Sequence, residues 1–220
     1  MIPIYALLYF LPGIPSIYYG SEFGIEGRKE GGNDDPLRPA LNLEELEKNP
    51  PAEKLPAWIK TLSDVRKKHP AARTGRYREL MLTNRQYAFA RLDETDALIT
   101  AVNNDENQSA GVWIPASCDG TWKNAVTGEA ISPENGKLFV EVPPCGCVLI
   151  EKEHKGDFFY EGNCENNGKN NSKKPEKAPK KTGGLISQDF LNWISTYLDR
   201  QPITIFSGKW VRTWTKKTAK

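Results

Sequence analysis

The carboxylates of Glu22, Glu26, Asp34 and Asp35 and the guanidinium of Arg38 fall in one short Gly-rich stretch, SEFGIEGRKEGGNDDPLRP. Two facing carboxylates can serve as acid and base, and a carboxylate beside a guanidinium can accept from and donate to a polyhydroxylated ligand. Glu22 lies 12 and 13 residues from Asp34 and Asp35, a spacing that fixes no geometry, so no catalytic residue is assigned. Glu22 reads first as structural, because a buried carboxylate at a strand end requires satisfied partners. The cysteines, Cys118, Cys145, Cys147 and Cys164, are too sparse for a disulfide scaffold and lack paired CxxC spacing. Cys145 and Cys147 project to one face of the last strand and read as buried free thiols, with no metal site. Trp113 and Trp122 have faces that suit sugar rings. Trp113 nevertheless sits in a run whose alternate residues are apolar, which favours packing in a core.

The elements that must position these groups follow from hydrophobic period. Residues 1–21 carry no charged side chain, and the apolar run is broken by Pro12, Gly13 and Pro15. A helix over residues 2–11, a Pro-Gly turn and a short strand in PSIYYG are predicted. A strand apolar on both faces implies a parallel sheet, with the acidic loop at its C-terminal end, where ligands bind in such folds. With no Lys or Arg before Arg28 and the run broken after about ten residues, neither a signal peptide nor a membrane span is expected. NLEELEK reads as a short helix. A stronger one over residues 54–69 has Leu55, Trp58, Ile59, Leu62, Val65 and Arg66 at helical spacing and is ended by Pro70.

From residue 73 to 153 the period becomes two, with strand-like runs YRELML, QYAFARL, ALITAVNN, AGVWIP, KLFVEV and CVLIEK between turn clusters. That pattern predicts an antiparallel sandwich or Greek key. Residues 154–184 are polar and Lys-rich and read as a flexible linker. In the tail, 185–220, Leu185, Phe190, Leu191, Ile194 and Leu198 recur at helical spacing, but the segment is too short for a domain.

Composition bounds the function. The 220 residues are 38% hydrophobic and 10% aromatic, with mean hydropathy −0.59, which excludes global disorder, collagen and a multi-span membrane protein. The net charge of +2 gives no whole-chain attraction for nucleic acid. The cysteines leave the redox compartment open, and the lack of a convincing signal peptide leans toward a cytoplasmic location.

The string PGIPSIYYGSEFGIEG, followed by GGNDDPLRPAL, the helix IKTLSDVRKKHPA and a β region closing with PPCGCVLI, resembles the C-terminal end of the α-amylase family, glycoside hydrolase family 13. Its flavour is that of neopullulanases, cyclomaltodextrinases and maltogenic amylases, over about residues 2–152. The resemblance implies a mixed fold. Residues 1–72 would be a remnant of a (β/α)8 barrel, comprising the end of its seventh helix, its eighth strand at 16–19 and its eighth helix. Residues 73–153 would be the all-β antiparallel domain C, followed by the linker and a short helical tail.

The resemblance also implies an enzyme acting on α-1,4 and α-1,6 glucosidic bonds of maltodextrin, cyclodextrin or starch, with an α-glucan or maltooligosaccharide as partner. The family uses an Asp nucleophile, a Glu acid/base and a second Asp, and retaining glycosidases hold their two working carboxylates about 5–5.5 Å apart. All three acids belong upstream of Met1. The Asn-His-Asp string that carries the last is absent, and the histidines are His69 and His154. The chain is therefore expected to be truncated and inactive. Its cofactor expectation is none, calcium being a feature of parent enzymes only. Asp35 and Arg38 match an Asp-Pro-x-x-Arg segment that bonds sugar hydroxyls, here one residue short; a mutual salt bridge is the alternative. Glu22 matches a rim Glu that holds the loop, and the Asp that usually precedes it is Ser21. A non-catalytic carbohydrate-binding or interaction module remains the competing reading. Residues 1–72 are expected to be unstable or self-associating alone, and 73–153 to fold independently.

Overall fold

The computed structural model describes residues 1–29, 31–117, 120–152, 205–207 and 210–212. Helix α1 (Ile2–Phe10) has Pro3 in its first turn, where a missing N–H is harmless, and ends at the extended backbone of Leu11. It has no charged residue in either terminal turn. Tyr5, Ala6, Leu7, Tyr9 and Phe10 are all buried. Helix α2 (Leu43–Lys48) is capped by Asn42, whose Oδ1 accepts from the Glu45 N–H at 3.3 Å. Helix α3 (Leu55–Lys68) follows, burying Leu55, Leu62 and Val65 with Trp58 and Ile59 partly covered. Pro70 ends α3 as predicted, but after the single extended residue His69 it also starts a short helix, α4 (Pro70–Thr74).

The strand predicted at 16–19 is not formed. Residues 14–18 carry no sheet pairing, Ile14 is 83% exposed and Tyr18 65%. Every strand pair among the described residues is antiparallel. A parallel strand exists only beside neighbours that take up its N–H and C=O groups, and no described strand lies there to do so.

Nine strands follow: β1 (Arg76–Leu82), β2 (Gln86–Leu92), β3 (Ala97–Asn103), β4 (Ala110–Pro115), β5 (Trp122–Asn124), β6 (Ala130–Ile131), β7 (Pro133–Glu134), β8 (Lys137–Val142) and β9 (Cys147–Lys152). They form a six-stranded sheet, ordered β1-β2-β3-β9-β5-β6, and a three-stranded sheet, ordered β4-β8-β7. The chain leaves the larger sheet after β3 and finally returns with β9 beside β3. The six runs read from sequence are all strands, and the short β5, β6 and β7 are additional.

The six-stranded sheet is covered on both sides. Its inner face presents Ala88, Ala90, Ala97, Ile99, Ala101 and Ile150 to Val112, Ile114, Leu138, Val140 and Val142 of the smaller sheet. Its other face presents Tyr87, Phe89, Leu98, Val102 and Leu149 to Tyr5, Phe10, Leu55 and Leu62 of the helices. The period of two in QYAFARL therefore alternates large against small rather than apolar against polar. Alanines let the two sheets approach, and aromatics fill the wider gap to the helices. Helix α1 thus obtains its cover from α3 and the β-sheet, where a barrel had been expected to supply it.

The expected linker at 154–184 and the helix expected within 185–200 lie outside the described residues. Inside the tail, β10 (Ile205–Ser207) and β11 (Trp210–Arg212) pair antiparallel, a ribbon that a purely helical tail did not anticipate. No helix among the described residues is long and apolar enough to cross a membrane.

Candidate functional site

The acidic loop begins at Gly20, whose φ of 82° starts a 3-10 turn over Ser21–Phe23 that ends on Gly24 at φ 78°. A Cβ on Gly24 would lie 2.5 Å from the Ala52 Cβ. Glycine is what lets this turn press against the segment leading into α3, and there the Ala52 N–H donates to the Phe23 carbonyl at 2.9 Å. From the other side the Tyr5 hydroxyl donates to the Ser21 carbonyl at 2.7 Å. Burial, and to a smaller degree the nearby charge of Glu22, raise the Tyr5 pKa. The turn is pinned by backbone groups, and the Glu22 Oε2 is buried with no hydrogen-bond partner among the described residues. Trp58 Nε1 on α3 is likewise buried and unpartnered.

Asp35 and Arg38 sit at the two ends of a second 3-10 turn, Asp35–Leu37, where the Arg38 N–H donates to the Asp35 carbonyl at 2.9 Å and the Asp35 N–H to Asn33 Oδ1 at 2.9 Å. Both side chains are exposed. Among the described residues no ion pair joins them; the pair in this loop is Lys29 to Asp34 at 2.8 Å. The Lys29 hydrogen bond and charge, with a lesser contribution from Arg38, hold the Asp34 carboxyl below its usual range. The turn therefore leaves an acceptor and a fork of donors open to solvent. Glu22 does not join them in any hydrogen bond.

Buried polar groups that no sequence motif announced couple the helices to the sheet. His69, just after α3, places Nδ1 2.8 Å from Asp96 Oδ1 and Nε2 2.6 Å from Glu151 Oε2. Asp96 also accepts from the Ala71 N–H, and Glu151 accepts from Lys68 at 2.7 Å, with Lys123 at 3.4 Å. Burial works to raise both carboxyls. The hydrogen bonds outweigh it, so Asp96 and Glu151 lie below their ordinary values. Arg66 donates to the carbonyls of Tyr9, Ala72 and Gly13, and Arg91 to those of Phe10 and Gly75. These two guanidiniums close the C-terminal end of α1, which has no basic residue of its own there. Burial, then the charge of Arg66, lower Arg91 to about 10, still cationic at neutral pH.

In the sandwich, Trp122 is fully buried, with Nε1 donating to the Ser117 carbonyl at 3.0 Å. Trp113 corrects the packing expectation: it is 47% exposed, because Val112 and Ile114 take the core side of β4 and turn it outward. Cys145 and Cys147 are free thiols, and burial pushes Cys147 strongly up. Among the described residues no group of three His, Cys, Asp or Glu could hold a metal ion.

No protein-family model matches the chain. A cyclomaltodextrinase of Geobacillus thermopakistaniensis (strain MAS1) is 31% identical over 144 residues, which is 64% of this chain and 23% of that protein. Neopullulanase 2 of Thermoactinomyces vulgaris is 29% identical over 141 residues, 63% of this chain and 23% of its own length. A crystal structure of AmyP in complex with maltose superposes with a TM-score of 0.59 at 22% identity, covering 70% of this chain and 34% of that one, a likeness of fold. The chain thus spans about a quarter of the curated relatives it matches.

Proposed function

We propose that this chain, 31% identical to a cyclomaltodextrinase over 64% of its length, is a C-terminal portion of an α-amylase family enzyme, glycoside hydrolase family 13, acting on α-glucosidic bonds. In this reading residues 1–72 are the closing elements of the (β/α)8 barrel and 73–153 are domain C. The substrate is a maltodextrin, cyclodextrin or starch chain, cleaved at α-1,4 and, following the neopullulanase likeness, α-1,6 linkages. Asp35 and Arg38 contact sugar hydroxyls at the rim, without doing chemistry. Glu22 is a rim carboxylate whose buried, unpaired Oε2 awaits a donor from the remainder of such an enzyme.

The match to these enzymes is the observation that carries the reading. The unpaired backbone at 14–18 and the exposed Ile14, Tyr18 and Tyr19 support it, as groups that barrel neighbours would cover.

The isolated chain is non-catalytic in this reading. A retaining glycosidase needs two carboxylates facing one open cleft. The paired acids described above, Asp96 and Glu151, are occupied by His69, Lys68 and the Ala71 N–H. A reducing-sugar assay of the 220-residue chain on maltodextrin and β-cyclodextrin tests this. No release above buffer is expected, and measurable turnover overturns it.

A further inference from the structure

The solvent face of the smaller sheet carries a pair of aromatic rings that the fold does not need for its core. Trp113 on β4 and Phe139 on β8 are directly opposite in register, with ring centroids 5.1 Å apart and planes inclined by 52°. Both are about half exposed, at 47% and 48%, while Val112, Ile114, Leu138 and Val140 on the same strands are buried. Phe139 reaches over Gly111: a Cβ there would lie 2.9 Å from its Cζ. Glycine thus lets the ring lie close on the neighbouring strand. Gly111 pairs with Glu141 and Pro115 with Lys137, and since residues two apart share a face, an exposed carboxylate and an exposed ammonium flank the rings on either side.

We propose that Trp113 and Phe139, flanked by Glu141 and Lys137, form a non-catalytic platform for an α-linked glucan on the outer face of the sandwich. A pyranose ring has apolar C–H faces and a rim of hydroxyls. It stacks on the aromatic rings while the carboxylate accepts and the ammonium donates at the rim. The tilt of the rings selects the linkage. Two faces inclined to each other suit a chain whose successive sugars turn, whereas a flat β-linked ribbon requires coplanar faces. The glucan class rests on the family reading above; the position of the site does not.

Isothermal titration of the full 220-residue chain with maltoheptaose tests the platform, with cellohexaose as the flat-chain control. Measurable binding of maltoheptaose alone is expected. W113A and F139A should each weaken it at least tenfold, and G111A, which displaces the Phe139 ring, should weaken it several-fold. All three should keep the wild-type thermal midpoint within a few degrees, since both rings are half exposed. Binding that is lost in D35A/R38A and kept in W113A overturns the platform and leaves the family reading standing. So does equal affinity for cellohexaose, or no binding up to about 10 mM maltoheptaose, a concentration that captures even weak complexes. If W113A instead abolishes a concentration-dependent dimer and leaves sugar titration flat, the face is a protein contact and the proposal is wrong.

Discussion

PSIYYG and QYAFARL are both short, aromatic and bounded by turn residues, yet QYAFARL is a strand paired on both edges and PSIYYG is unpaired, ending in a left-handed turn at Tyr19 and Gly20. In β2 residues 87–92 face β1 on one side and β3 on the other, with the helices and the smaller sheet above and below. Residues 14–18 pair with no strand among the described residues, and of their large side chains Ile17 alone packs against the helix-side core. Strand formation is thus a property of partners as much as of composition, because the ladder bonds that define it are made between chains of backbone and not within one.

The comparison breaks most readily in the core. Phe89→Ala and Trp122→Ala, one on each side of the six-stranded sheet, should each cost about 3–5 kcal/mol in urea denaturation; a loss below 1 kcal/mol for F89A would show that the helices do not cover that face. Next in size, Arg91→Leu removes the donors on the Phe10 and Gly75 carbonyls and should cost about 2–3 kcal/mol. Hydrogen exchange in that variant should quicken in α1 before it quickens in β3; uniform acceleration would mean the arginine does not hold the helix.

Acid is a gentler probe. Asp96 and Glu151 have carboxyls below their ordinary values, so their contribution is complete above the usual carboxylate range and lost as pH falls through the lowered values, below about pH 4. Thermal midpoints of E151Q and D96N, followed from pH 7 to 3, should fall less steeply than wild type. Parallel curves would remove the His69 cluster from the account. Smallest of all, Ile14→Ser and Tyr18→Ser should change stability by less than about 0.5 kcal/mol, the range for exposed sites. A larger loss would mean that residues 14–18 are held by something after all.

What could be read from the residues divides along the same line. Helix α3 was legible because Leu55, Leu62 and Val65 repeat on one face, and six strands were legible because turn clusters bound them. Glu22 and the Asp35–Arg38 turn were found as loop residues, but their pairing was not, since Lys29 chose Asp34. Trp113 was misplaced because an apolar residue at every position of VWI hides which parity faces inward. The His69 cluster joins residues 27 and 82 positions apart; no local pattern announces contacts of that separation.

The closure of α1 by Arg91 has a consequence for the order of events on the ribosome. Phe10 and its guanidinium partner are separated by 81 positions, so the helix leaves the exit tunnel long before the hairpin that will fasten it has been translated. At a synthesis rate of about 5–20 residues per second, that interval lasts several seconds. Until α3 and Arg66 follow, an apolar segment without a single charged side chain stands in water uncovered, a target for chaperones and for premature association with its like.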